Sequence, residues 1–283
     1  MKQAVDQHWE QHTDRLQRVL ACSRFGLISD FDGTLSAFAP HPDVATIVPE
    51  NARLLDGLAE RVTVVALVSG RSVQDVRARF TRPQLVYYGN HGLERWSADG
   101  PRLVETALAW RERLQTVLNA VRALEMAGVI VEDKDVTGSI HYRLAADPEA
   151  TKAQLQAHLL PLCTLMGLQL SAGQFIWDIK PPLRLDKGTA VRAIADDYQL
   201  ESVIFFGDDV TDYAAMRALR ELAADPTRDL QTLSVGVVHP TTPPDLFAVC
   251  DLTANGVPDV THCLRWILEH RTPPTARQSL GEN

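Results

Sequence analysis

Apolar residues along this chain follow two rhythms. Mostly apolar runs recur near residues 25–28, 62–68, 85–88, 202–206 and 233–238, and between them Leu, Val and Ala return every three or four positions. The runs predict strands buried on both faces, and the spaced residues predict amphipathic helices packed against them. Over residues 51–61, for example, Leu54, Leu55 and Leu58 share one helical face. Further helices are predicted over 72–80, after Lys187, over 211–221 and over 258–270, with a short apolar segment at 249–252. Strand alternating with helix in this way predicts a parallel sheet with right-handed crossovers. Ahead of it, residues 4–21 place Val5, Trp9, Leu16, Val19 and Leu20 at helical spacing, which predicts an N-terminal helix packed on the core. The segment 37–49 carries three prolines and reads as a loop.

The rhythm changes after Glu94. A long helix over 105–127 is predicted to precede strands at 129–134 and 139–144. A second helix over 148–166, kinked or split by Pro161, precedes strands at 168–170 and 174–179. Helix-strand-strand twice over predicts an antiparallel sheet covered by helices on one face. The expected organisation is therefore an α/β core, residues 1–104 and 181–283, interrupted by an inserted α+β domain, residues 105–180. Strand alternation puts Val131, Ile140, Trp177 and Ile179 on one face of the inserted sheet. The other face collects Glu132, Lys134, His141, Arg143, Asp178 and Lys180. Such a face is commonly just solvated, but on a sheet inserted into an enzyme-like core it also suits a polyhydroxylated ligand.

The places where apolar runs end carry the chemistry. The first run ends in Ser29-Asp30-Phe31-Asp32-Gly33-Thr34. Residues two apart on extended chain point the same way, so Asp30 and Asp32 can converge, and Gly33 lets the backbone approach whatever sits there. Crowded carboxylates need a cation or a shared proton, which suits cation-assisted attack by a carboxylate on phosphorus. The plain alternative is a turn, since D-x-D-G is also turn chemistry. A calcium loop is not indicated, because the D-x-D-x-D-G spacing with a distal Glu is absent. The second run ends in Ser69-Gly70-Arg71. Asp186-Lys187-Gly188 opens a helix, and the run 203–206 ends in Gly207-Asp208-Asp209-Val-Thr-Asp212. Ligands of open parallel sheets bind beyond the carboxyl ends of the strands, where Asp30, Ser69 and Asp208 fall.

Composition narrows the partners. The 283 residues have a net charge of −8, which argues against a nucleic-acid or anionic-membrane surface but leaves room for a local phosphate pocket. The four cysteines lack metal-site spacing and read as buried thiols of a reduced compartment. The first twenty residues carry charges throughout, and no apolar run approaches the ~18 residues of a membrane span. The expectation is a cytoplasmic protein, with its oligomeric state left open, a monomer included.

Strand-end Asp pair, strand-end Ser, helix-start Lys and strand-end Asp-Asp, in that order, resemble the four motifs of the haloacid dehalogenase superfamily. Glu132-Asp133-Lys134, His141-Tyr142-Arg143, Lys180-Pro181 and the loop Asn90-His91-Gly92-Leu93-Glu94 resemble its trehalose-6-phosphate phosphatase family over about residues 25–255. That resemblance implies a Rossmann-like haloacid dehalogenase core with an inserted cap that sets specificity, acting on a small sugar phosphate with Mg²⁺. It implies Asp30 as nucleophile, Asp32 as general acid and base, and Ser69 with Lys187 on the phosphoryl oxygens. It implies Mg²⁺ at Asp30, the backbone of Asp32, and the group Asp208, Asp209 and Asp212. Substrate contacts are implied at Gly70, Arg71, Asn90, His91 and Gly92 and, for the sugar, at Glu132, Lys134, Arg143 and Asp178. On residue chemistry alone, His91 and Glu94 equally suit local hydrogen bonding. Two positions depart from the family pattern: Asp178 stands where Glu is usual, and Tyr213 where an acid is usual. The rival readings are another sugar phosphatase, a sugar phosphomutase and a regulatory domain without activity.

Overall fold

The computed structural model describes residues 7–37, 45–103, 105–173, 175–183, 185–240, 242 and 244–272. Most of the proline-bearing loop and Val5 lie outside the described residues. The chain divides into two compact units, Met1–Pro101 with Leu185–Asn283, and Arg102–Arg184. In chain order the strands are β1 Phe25–Ser29, β2 Val64–Val68, β3 Val86–Gly89, β4 Glu94–Ser97, β5 Gly100–Leu103, β6 Ile130–Asp133, β7 Gly138–His141, β8 Gln169–Gly173, β9 Ile176–Lys180, β10 Ser202–Gly207, β11 Gln231–Val237 and β12 Leu252–Ala254. The helices are α1 Thr13–Ala21, α2 Pro49–Ala59, α3 Val73–Arg79, α4 Glu105–Leu108, α5 Arg111–Arg122, α6 Pro148–Met166, α7 Lys187–Asp197, α8 Tyr213–Ala224, α9 Leu246–Val249 and α10 Gly256–His270.

The larger unit is built on a sheet of order β12-β11-β10-β1-β2-β3-β4-β5. Every pairing from β12 to β3 is parallel. The central strands are buried along their whole length, so their sequences read as apolar runs with no alternation. Alternate residues enter two separate cores. Leu27, Val65, Leu67, Ile204 and Phe206 meet α1, α2 and α10 on one face. Ile28, Val64, Ala66, Val203 and Phe205 meet α7 and α8 on the other. Strand order reverses at β1, whose neighbours are β10 and β2, and that reversal opens a crevice beyond its carboxyl end.

The sequence reading missed the antiparallel edge. β4 pairs with β3, Tyr88 opposite Arg95, and β5 follows it in the sheet. The segment is short and half-buried, so it shows no apolar run; Trp96 is covered instead by the Arg77 guanidinium, 3.4 Å from its ring centre. At the N-terminus a single turn at Trp9–His12 precedes α1, which buries Leu16, Val19 and Leu20.

The smaller unit is a four-stranded antiparallel sheet of order β6-β7-β9-β8. Ile140, Trp177 and Ile179 pack with Leu114, Val117, Leu118 and Val121 of α5 and Leu155, Leu159 and Cys163 of α6. The predicted long first helix is two, α4 and α5. The second, α6, is not split at Pro161; it starts on an Asp147 cap and stops at Gly167 in the left-handed conformation. Strand β7 ends at His141, shorter than predicted. Arg143 therefore lies in the turn beyond it, exposed, with its guanidinium 5.2 Å from the Phe175 ring centre.

Candidate active site

Parallel register brings three strand ends level. Ser29 is opposite Phe206 on one side and Leu67 on the other, so the residues that follow share one end of the sheet. Asp30 N donates to Phe206 O at 2.8 Å, which keeps the backbone in register one residue beyond β1. Asp30 is 5% exposed and Asp208, after β10, is 6% exposed. Helix α7 begins at Lys187 because Asp186 caps it, accepting from Thr189 N at 2.9 Å. That start delivers the Lys187 ammonium to Asp30 Oδ1 at 2.9 Å and Asp212 Oδ1 at 2.7 Å.

Asp212 is fully engaged. Its Oδ1 takes Lys187, and its Oδ2 accepts from the amides of Asp208 and Asp209, both at 3.0 Å. Gly207 makes this fold-back possible, since a Cβ there would lie 2.5 Å from the Asp212 carboxyl carbon. Asp209 itself points elsewhere: it is exposed and accepts from Val210 N at 2.6 Å. Thr34 Oγ1 donates to Asp208 Oδ1 at 3.3 Å. Asp30, Asp208 and Asp212 thus form a buried group whose ligand oxygens lie within 4.8 Å of one another.

Three carboxylates face one ammonium, and the titration reflects it. Burial pushes the Asp30 carboxyl up to about 7, against the pull of Lys187 and with repulsion from Asp212 and Asp32. Burial, followed by the charges of Asp30 and Asp212, pushes Asp208 up to about 9. Burial works against the charge on Lys187, but Asp212 and Asp30 hold it well above the usual lysine range. Hard oxygen donors with excess negative charge fit a divalent cation. Asp30, Asp208 and Asp212 could each offer it one oxygen.

Asp32 faces a different partner. Arg71 grips it through Nε to Oδ2 at 2.6 Å and a terminal nitrogen to Oδ1 at 2.9 Å, while its other arm meets Asp75 at 2.6 Å. A two-point grip of this kind fixes carboxylate orientation as well as charge. Asp75 lies below the usual carboxylate range, because the bonds from Arg79 and Arg71 outweigh its burial. Ser69 is 1% exposed and accepts from Arg71 N at 3.2 Å.

The loop 90–94 is locked to the Ser69 loop. Asn90 N donates to Arg71 O at 2.7 Å and His91 N to Ser69 O at 3.0 Å. Asn90, His91 and Gly92 all have positive φ, at 48°, 58° and 105°. Glu94 holds this shape, accepting from Asn90 Nδ2 at 2.5 Å and Val73 N at 2.6 Å. The His91 ring lies directly on Gly70, 2.7 Å from where a Cβ would be.

A model of the trehalose-phosphatase family matches residues 28–243, most of the chain and all of the elements just described. The chain belongs to the trehalose-phosphatase family. It is similar to a trehalose-phosphate phosphatase of Mycobacterium marinum, 30% identical over 238 residues, which are 76% of this chain and 58% of that protein. An uncharacterized glycosyl hydrolase of Mycobacterium tuberculosis is 33% identical over 218 residues, 73% of this chain and 16% of the relative. The chain thus spans less than two thirds of the length of these two relatives. In fold it is similar to the C-terminal domain of C. albicans trehalose-6-phosphate phosphatase, with TM-score 0.73 at 19% identity, covering 91% of this chain and 96% of that one. The family is haloacid dehalogenase-like; it acts on a sugar phosphate and implies a divalent metal, in keeping with the acidic group. No helix among the described residues is long and apolar enough to cross a membrane.

The second group of polar residues lies in the smaller unit. Across its sheet Glu132 is opposite Ser139, and Ser139 is opposite Asp178. His141 Nε2 donates to Glu132 Oε2 at 2.8 Å, and Lys134 Nζ lies 3.5 Å from the same oxygen. Ser139 Oγ donates to Asp178 Oδ1 at 2.6 Å. The sequence pattern gathered Glu132, Lys134 and Asp178 correctly onto this face, but it gave no role to Ser139, which is 1% exposed. It also placed Arg143 here, whereas the end of β7 leaves that residue in the turn.

Proposed function

We propose that this chain is a Mg²⁺-dependent phosphatase, located in the cytoplasm, that hydrolyses trehalose 6-phosphate to trehalose and phosphate. The observation that carries the reading is the buried contact of Lys187 with Asp30 at the end of β1, with Asp208 beside it. Family membership supports the choice of substrate. Asp30 is the nucleophile: its carboxylate attacks phosphorus in line, an aspartyl phosphate forms, and one hard hydrolysis becomes two easier steps. Asp32 gives a proton to the departing sugar oxygen, then accepts one from the water that releases phosphate. Arg71 orients Asp32 and opens one of its two contacts when that oxygen carries the proton, so Arg71 acts through Asp32 in addition to any substrate contact. Lys187 and Ser69 meet the charge spread over the phosphoryl oxygens.

Mg²⁺ would be held by Asp30, Asp208 and the backbone of Asp32, and it supplies charge neutralisation for a dianionic ester beside a carboxylate. Asp212 serves the site by positioning Lys187 and the 208–209 amides. The smaller unit acts as a cap that reads the sugar through Glu132, Lys134 and Asp178, with Arg143 at its margin. The loops carrying Gly70, Asn90, His91 and Gly92 border the phosphate. Phosphate release from a panel containing trehalose, sucrose, glucosylglycerate and mannosylglycerate phosphates, with and without Mg²⁺, tests this reading. Trehalose 6-phosphate should be hydrolysed fastest, and only with the cation. Preference for another ester would move the substrate, dependence on a bisphosphate activator would indicate a mutase, and no release from any ester would indicate a regulatory domain.

A further inference from the structure

One imidazole spans the two acid-bearing loops. Strand β11 lies beyond β10 from β1, yet the residue two positions past its end, His239, reaches back over the end of β10 to the loop that follows β1. His239 Nε2 is 2.6 Å from Gly33 O and 3.9 Å from Asp208 Oδ2. A carbonyl oxygen only accepts, so Nε2 carries the hydrogen and donates it to Gly33. The ring is held from its own backbone side. His239 N donates to Thr242 Oγ1 at 2.7 Å, and Val238 N donates to Ala254 O at 2.8 Å. The side chain is 12% exposed, so water competes little for the bond.

The loop that receives this bond is tied to the β10 end at two other points, Asp30 N to Phe206 O and Thr34 Oγ1 to Asp208 Oδ1, and between them it closes on itself. Leu35 N and Ser36 N both donate to Phe31 O at 3.0 Å, and Gly33 stands at φ 71°. The turn contacts set the loop's shape, the ties at Asp30 and Thr34 hold its two sides, and the bond from His239 holds Gly33 between them. We propose that His239 is a positioning residue of the site: it fixes the spacing between the Asp30–Gly33 loop and Asp208, and through that spacing the affinity for a divalent cation. This rests on the phosphatase reading for its catalytic consequence but not for its effect on cation binding.

The test uses Mg²⁺ itself as probe, by calorimetry on the full chain, beside the kinetics of a small aryl phosphate. Gln can present an amide nitrogen where Nε2 stands, Asn cannot reach that far, and Ala offers nothing. Leaving a buried carbonyl without its donor is a penalty large enough for His239→Ala and His239→Asn to weaken Mg²⁺ binding about 10-fold. kcat should fall by a similar factor with KM nearly unchanged, and His239→Gln should stay within about 3-fold of the parent on both readouts. Equal Mg²⁺ affinity in Asn, Gln and parent would overturn the proposal, as would a Gln variant no better than Asn. If Ala does not fold, the Gln and Asn pair decides alone. A parent that hydrolyses no ester but shows the predicted ordering of Mg²⁺ affinities would sink the phosphatase reading and keep the positioning role.

Discussion

The two charged clusters of this chain are assembled in opposite ways. In the larger unit Asp30, Asp208 and Asp212 crowd around one ammonium and are nearly sealed from water. Their own partners do not balance them, and burial drives two of the carboxyls far above their ordinary range. In the smaller unit each carboxylate has its match: Glu132 has His141 and Lys134, and Asp178 has Ser139. Glu132, Lys134, His141 and Asp178 are half-buried and water reaches them, while Ser139 is buried beneath. A cluster that is left short of positive charge invites a cation and a reactive ester. A cluster already satisfied can exchange one hydrogen bond for another at small cost, which is how a surface reads sugar hydroxyls without reacting with them.

Substitution should expose the contrast. Asp30→Asn keeps the shape of the side chain and removes the proposed nucleophile, so phosphate release should fall about 10³-fold or more on every ester, large or small. Near-parental turnover would mean that the buried cluster is structural. On the other side, Glu132→Ala removes a charged hydrogen-bonding group worth ~1.5–3 kcal/mol, so kcat/KM for trehalose 6-phosphate should fall about 10- to 150-fold. A small aryl phosphate, which has no sugar to read, should stay within a few-fold. Equal losses on both esters would erase the division of labour and favour a role for the smaller sheet in gating.

How far this was legible follows from the same contrast. The buried site announced itself, because a polar residue that ends a fully apolar strand is visible in sequence: Asp30, Ser69 and Asp208 stand at such ends, and Lys187 opens a capped helix. What spacing could not show is which way a side chain's second oxygen points. Asp212 reads as one more acid of the metal group, and spacing could not show that its oxygens also hold Lys187 and the 208–209 amides. Asp209 reads the same way and is turned outward. Arg71 reads as a substrate contact, and spacing could not show that it also holds Asp32. His239 gave no signal, since its importance lies in reaching across β10. In the smaller unit the period-two pattern was sound as far as His141. It failed at Arg143 because nothing in the run His141-Tyr142-Arg143-Leu144 marks the end of a strand. The edge hairpin β4–β5 was missed for the reason edge strands usually are: one side faces water, and an Arg supplies the cover that an apolar run would otherwise reveal.

The smallest expected effect is on stability, and its sign distinguishes the clusters. The Asp30 and Asp208 carboxyls titrate near about 7 and about 9 in the folded protein, against about 4 for an unfolded aspartate. Between those limits the folded state binds more protons than the unfolded one, so the stability of metal-free protein falls as pH rises. The contribution is complete below about pH 4 and is lost as pH rises through the folded values. Asp208→Asn removes the larger share. At pH 8, after chelation, the variant should melt a few °C above the parent, a shift on the scale that about 1 kcal/mol produces in a chain of this size. Mg²⁺ should then raise the melting temperature of the parent and leave that of the variant nearly unchanged. Asp178→Asn, whose carboxylate is already met by Ser139 and half open to water, should melt with the parent and respond to Mg²⁺ as the parent does. If metal-free parent and Asp208→Asn melt together from pH 5 to 9, the buried acids are not in conflict, and the first cluster is as self-sufficient as the second.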